Sequence, residues 1–147
     1  MTLKAQISED MKSAMRAKES TRLGTIRLLL AAMKQREVDE RIELSDIDVI
    51  SIIEKMLKQR RDSIAAYESA KRVDLADVEK AEVLVLQAYL PKQLTEEEVA
   101  ALLEKVVADT AAASMKDMGK VMAAIKPLVA GKADMGKISG LIKARLA

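Results

Sequence analysis

Near its C-terminus the chain carries Gly131-Lys132-Ala133-Asp134-Met135-Gly136-Lys137, the G-x-x-x-x-G-K spacing of a loop that wraps nucleotide phosphates. That chemistry needs a Ser or Thr hydroxyl next, to reach a magnesium ion, and a buried strand before it. Ile138 occupies the first place, and Leu128-Val129-Ala130 is too short and too close to Pro127 to supply the second. These flanking residues argue against nucleotide hydrolysis, whatever the spacing. Lys132 and Lys137 still flank a small-residue turn at a helix start, where backbone N–H groups and the helix dipole favour a phosphate. Two other groupings invite an acid-base or nucleophilic reading: Asp62 near Arg60 and Arg61, and Ser114 near Lys116. Ser114 reads more simply as a helix cap, and Lys58, Arg60, Arg61 and Asp62 as helix-surface partners three or four residues apart. With no Cys and no His, the chain has no disulfides, thiolate nucleophiles, Cys/His zinc sites, imidazole catalysis or Ser-His-Asp triads. No catalytic, cofactor-binding or metal-ligating residue is assigned, and no cofactor is expected.

Charge gives a more definite lead once it is divided along the chain. Of 25 Lys+Arg and 23 Asp+Glu in the 147 residues, residues 111–147 hold seven basic side chains against two acidic. Such asymmetry points to an anionic partner. The candidate nucleic-acid-binding residues are Lys116, Lys120, Lys132, Lys137, Lys143 and Arg145, with Lys126 completing the basic set. Lys116 and Lys120 stand at i, i+4, so one helix should present both on one face. The tail has no aromatic residue, so base stacking is excluded and contact should run through phosphates, by shape and charge. The competing reading is the solvated face of a small helical bundle. Gly119 and Gly140 interrupt helical patterns, where glycine costs about 1 kcal/mol relative to alanine. Close helix packing is the better account of Gly140 beside Leu141; Gly119 equally suits the approach of a nucleic-acid backbone.

The elements that must position these residues read as helices throughout. Leu3, Ile7, Met11 and Ala14 step at helical spacing, and Leu23, Ile26, Leu30 and Met33 repeat it after Ser20, the expected N-cap. Ser45 with Asp48 forms a capping-box start to a stripe of Ile50, Ile53, Leu57, Ile64 and Tyr67. Arg60 falls on that stripe and should either snorkel to its edge or, the favoured reading, pair with a carboxylate such as Asp62 or Glu54. A fourth helix, from about Leu75 to Leu90, must stop before Pro91. Beyond it, Thr95-Glu96-Glu97-Glu98 is a second capping box, leading into Val99, Leu102 and Val106. Ser114-Met115-Lys116-Asp117 is a third, leading into Met118, Met122 and Ile125 and a helix that Pro127 should end. Gly131 is the expected turn, and Met135, Ile138, Leu141, Ile142 and Leu146 give the closing helix. The fold class is all-α and multihelical, with a four-helix unit at residues 1–92 and a smaller basic three-helix unit at 93–147. No apolar run is long enough to cross a bilayer, so no membrane partner is expected, and the early charges of the N-terminus and the missing Cys suggest a cytoplasmic protein.

Lys58-Gln59-Arg60-Arg61-Asp62-Ser63-Ile64, Tyr89-Leu90-Pro91-Lys92-Gln93-Leu94 and Ser114-Met115-Lys116-Asp117-Met118-Gly119-Lys120-Val121-Met122, in that order, resemble the GatB/YqeY family and specifically its small YqeY-like proteins. The segment from Gly131-Lys132-Ala133-Asp134 through Ile138-Ser139 to Ile142-Lys143 is similar to the C-terminal module of GatB, one component of the glutamine-dependent aspartyl/glutamyl-tRNA amidotransferase. The resemblance implies two different helical subdomains and a tail whose counterpart helps hold tRNA. It also brings a label, carbon-nitrogen ligase with glutamine as amido-nitrogen donor. The amidotransferase performs its phosphorylation and amide transfer in a separate kinase-like domain, however, and releases ammonia at a Ser-Ser-Lys site in another of its chains, and neither part is in this chain. The leading expectation is a tRNA-linked accessory or binding module. A ligase, and a helical interaction module whose acidic N-terminal subdomain docks on an aminoacyl-tRNA synthetase or an amidotransferase component, are the alternatives.

Overall fold

The chain begins its first helix at a hydroxyl: Thr2 Oγ1 accepts the Ala5 N–H at 3.1 Å, and α1 runs Leu3–Arg16. The computed structural model describes residues 1–147 and contains only helices and turns. It continues with α2 (Ser20–Glu40), α3 (Asp46–Ser69), α4 (Val73–Gln87), α5 (Glu96–Asp109), a single 3-10 turn (Met115–Asp117), α6 (Met118–Val129) and α7 (Met135–Leu146). The all-α, multihelical class is confirmed. The chain divides into two compact units, Met1–Leu90 and Pro91–Ala147, two residues before the expected boundary.

In the first unit α1 packs on α2, and α4 packs on both α2 and α3. Ile7, Ala14, Ile26, Met33, Ile53 and Leu57 are buried as the helical spacing requires. Leu29, Val49, Ile52 and Met56 are buried beside them, so the apolar faces of α2 and α3 are wider than one stripe. The capping box at α3 forms in full: Ser45 Oγ accepts the Asp48 N–H, and the Asp48 carboxylate accepts the Ser45 N–H at 3.0 Å. Asp46 Oδ1 accepts the Leu3 N–H at 2.9 Å, which joins the starts of α1 and α3. Arg60 is paired as its position on the apolar stripe demands, but across to α4. Its side chain is 12% exposed, with Nε 2.8 Å from Glu82 Oε2 and 4.0 Å from Glu79. The expected partners, Asp62 and Glu54, sit on its own helix; α4 packs close enough to α3 to present Glu82 and Glu79 instead.

Helix boundaries supply most of the corrections. Ser20 is the first residue of α2 and not its N-cap, because the chain leaves α1 through a left-handed Lys18 and the Glu19 N–H returns to Ala14 O. α4 covers Val73–Gln87, its last expected residues forming turns in which Tyr89 N–H donates to Leu86 O and Leu90 N–H to Gln87 O. Pro127 does not end α6, which runs on to Val129. A proline that close to the C-terminus removes a single N–H, and the fully buried Ile125 and Val129 hold the final turn in place. Lys18, Arg41, Lys71 and Ala111 all have φ between 54° and 60° and end helices where glycine is the usual choice. Lys71→Gly should therefore stabilise the first unit by about 0.5–1 kcal/mol, the relief of left-handed strain exceeding the added chain entropy. A higher urea midpoint checks it; a lower one contradicts it.

Candidate nucleic-acid interface

The second unit is a layer in which α6 packs on both α5 and α7, around fully buried Val121, Ile125, Val129 and Ile142. α5 starts at Thr95, whose Oγ1 accepts the Glu98 N–H at 3.1 Å. Glu98 does not close the box. Its carboxylate accepts the Thr95 hydroxyl at 3.2 Å rather than the backbone N–H. Before α6 the Asp117 carboxylate accepts from the N–H groups of Ala113 and Ser114, at 2.9 and 3.3 Å, and these bonds hold its pKa below the usual carboxylate range. The turn between α6 and α7 centres on Gly131, φ 72°, a conformation that favours glycine. Gln93 and Leu94 stitch that turn down: Gln93 Nε2 donates to Gly131 O at 2.7 Å, and Leu94 N–H donates to Lys132 O at 2.8 Å.

This geometry regroups the six candidate residues. Lys116 lies in the 3-10 turn and Lys120 in α6, so they do not share the regular helical face that i, i+4 spacing implies; the Asp117 bonds tighten the turn between them. The 3-10 turn packs against α7. Because α6 and α7 form an antiparallel hairpin, Lys116, Lys120 and Lys143 gather at one end of the unit. Lys132 lies at the other, about 18 Å away along the twelve residues of α6 at the usual helical rise. All four are exposed, and the Lys120 charge adds to the lowering of the Asp117 pKa. Lys137 is exposed on the wall of a groove between α5 and α7. Arg145 is engaged: its Nε and Nη2 reach Glu104 at 2.6 and 3.3 Å, which lowers the Glu104 pKa and raises that of Arg145.

The phosphate-loop spacing has no strand before it, since α6 runs to Val129. The start of α7 is capped from within the chain, Asp134 Oδ1 accepting the Gly136 N–H at 2.9 Å, so a carboxylate stands where a phosphate was expected. The packing expected of Gly140 is not there, and of the two readings of Gly119 close packing falls. A Cβ on Gly119 or Gly140 would meet nothing within 4 Å, so neither serves close helix packing, and Leu141 beside Gly140 is 45% exposed.

Charge also redistributes once the units are known. Met1–Leu90 holds sixteen basic and sixteen acidic residues, so the first unit is neutral and not acidic as expected. Pro91–Ala147 holds nine and seven, with five of the seven acids in Glu96–Asp109. The second unit is thus polarised, acidic along α5 and basic from the 3-10 turn through α7. The sequence pattern also missed a cluster in the first unit. Tyr89 Oη donates to Asp10 Oδ2 at 2.6 Å, and Arg22 Nη2 lies 3.9 Å from Asp10. Burial, and then the hydrogen bond to Asp10 and its charge, push the Tyr89 pKa above the ordinary tyrosine value. The only advance signal was the scarcity of tyrosine itself, two in the chain.

The chain is thus built of two helical units of different size, the second polarised in charge. The chain belongs to the YqeY-like protein family, whose model matches residues 4–146. It is 35% identical over 109 residues to the altered inheritance of mitochondria protein 41, mitochondrial, of Kluyveromyces lactis, covering 71% of this chain and 58% of that one. The protein of the same name from Eremothecium gossypii is 39% identical over 87 residues, 58% of this chain and 48% of that one. An uncharacterized protein of Schizosaccharomyces pombe is 24% identical over 90 residues, 61% and 73% of the two chains. The chain spans about half the length of the mitochondrial relatives it matches. Their mitochondrial names overturn the expectation of a cytoplasmic protein.

Proposed function

We propose that this chain is an RNA-binding accessory module that holds tRNA by its phosphates. The observation that carries this reading is the set of exposed lysines at 116, 120, 132 and 143, in a segment that holds seven basic residues against two acids, Asp117 beside Lys120 and Asp134, both of which accept backbone N–H groups. Exposed lysines in such excess over acids remain available to phosphate oxygens, and their binding releases counterions. Arg145 is set aside from this group because Glu104 already neutralises it. The resemblance to the amidotransferase tail supplies the choice of tRNA. The ligase label is not carried over, because the chain has no Cys and no recognisable amidase triad or nucleotide loop to release ammonia or activate a carboxylate.

Fluorescence anisotropy of labelled tRNA titrated with the full chain, between about 50 and 200 mM salt, tests the proposal. With about three phosphates neutralised, log K should fall against log[salt] with a slope of roughly −2 to −3. Undetectable binding at the low-salt end, or affinity independent of salt, contradicts it.

A further inference from the structure

The inner side of α2 buries Ile26, Leu29 and Met33 against the rest of the first unit. Its outer side is not polar throughout. Gly24, Leu28, Ala31, Gln35 and Val38 follow one another at alternating spacings of four and three, the repeat of a helix that packs lengthwise on another helix. Neither α1, α3 nor α4 covers them: Leu28 is 51% and Val38 60% exposed, Ala31 and Gln35 are exposed, and a Cβ on Gly24 would meet nothing within 4 Å. At the usual helical rise the seam is about 21 Å long. The charges left open beside it have one sign. Arg27 and Lys34, at i, i+7, line one edge, and Arg41 follows at the end of the helix; all three are exposed and pair with no carboxylate. The nearby carboxylates are already engaged: Glu37 by Lys4 and Asp39 by Gln35, both at 2.9 Å, Glu40 by Arg36, and Glu9 of the adjacent α1 by Lys12.

We propose that this outer face of α2 receives an amphipathic helix of a partner protein, whose apolar stripe is edged by Glu or Asp. Leu28 and Val38 supply apolar surface, Gly24 and Ala31 admit the incoming backbone closely, and acids at seven-residue intervals meet Arg27 and Lys34. A second copy of this chain fits worse. Antiparallel, its α2 would set the same basic edge against Arg27 and Lys34; parallel, it would bring Arg27 to Ala32, and Lys34 to an Asp39 that Gln35 already holds. RNA would meet the cations but leave Leu28 and Val38 against phosphates, with no apolar surface buried. The inference stands independently of the tRNA reading, whose lysines all lie in the second unit.

The test uses the full chain against phage-displayed peptides of about 20 residues, with Leu fixed at i, i+4, i+7 and i+11 and the other positions random. Enriched peptides should carry Glu or Asp beside the Leu stripe at seven-residue intervals. They should bind Arg27→Glu with Lys34→Glu at least about tenfold more weakly than the parent, and the same peptides with those acids changed to Lys should regain affinity for this double variant. Ala31→Lys keeps the sign of the charge but fills the seam, so it should weaken peptide binding by a similar factor, whereas a phosphate backbone would tolerate it. Replacing Lys116, Lys120 and Lys143 by Glu should leave peptide binding unchanged, and circular dichroism should show each variant as helical as the parent. No enrichment, enriched peptides without the acidic edge, or peptides indifferent to the α2 variants would overturn the proposal. So would tRNA that displaces the peptides even from the variant lacking the three tail lysines, which would give the face to RNA. A concentration-dependent dimer in sedimentation that Ala31→Lys abolishes would overturn it too, giving the face to a second copy of this chain.

Discussion

Glu82→Ala should weaken the first unit by about 3 kcal/mol, because it leaves the Arg60 guanidinium largely buried with its nearest carboxylate gone. Arg60 lies on the apolar face of α3, where its stem packs with the core while Nε holds Glu82 at 2.8 Å. Glu79, at 4.0 Å, is beyond hydrogen-bond distance, so it offsets only part of the loss. Removing both charges should cost much less than removing one: Arg60→Met with Glu82→Gln should sit within about 1 kcal/mol of the parent, since Met replaces the apolar stem and no charge is stranded. Native-state hydrogen exchange of the α3 and α4 amides measures both variants within their own unit. Equal losses in the single and double variants would show that the helix contact, and not the stranded charge, carries the energy.

Charge reversal in the second unit should have an effect of similar size on binding. Lys116, Lys120 and Lys143 converge at one end of the unit, so replacing all three by Glu exchanges attraction for repulsion at adjacent phosphates. The tRNA affinity should fall by about 100-fold near 0.1 M salt, and the salt slope should collapse. The three side chains are exposed, so helicity should not change. Arg145→Ala should behave differently, with a small effect on tRNA and a loosened contact between α5 and α7, because Glu104 already holds the guanidinium. Parent-like binding by the triple variant would remove these lysines from the interface.

The helices were legible because leucine, isoleucine, valine and methionine recur at the helical period, and because Thr95 and Ser45 announce helix starts with hydroxyls. The stops were less so. Lys18, Arg41, Lys71 and Ala111 adopt left-handed turns that their side chains do not advertise, and Pro127 sits inside a helix that tertiary packing carries past it. The candidate site was legible as a composition but not as a shape. Counting charge along the chain found the lysines; only the folded hairpin separates Lys132 from Lys116, Lys120 and Lys143 and turns Lys137 toward α5. Pairing across helices was equally hidden, since Glu104 and Arg145 are 41 residues apart in sequence and Tyr89 and Asp10 are 79. Leu141 shows the limit of periodicity: its spacing is that of a core residue, yet its position on α7 faces a groove that no element of its unit fills.

Whether the basic side of the second unit holds tRNA is tested most directly by amide NMR spectra of the full isotope-labelled chain titrated with tRNA at moderate salt. The largest perturbations should fall at residues 114–120 and 142–146 and around Gly131 and Lys132, with the Glu96–Glu98 start of α5 unmoved. Perturbations confined to Met1–Leu90 or centred on α5, or spectra unchanged by saturating tRNA, would contradict it.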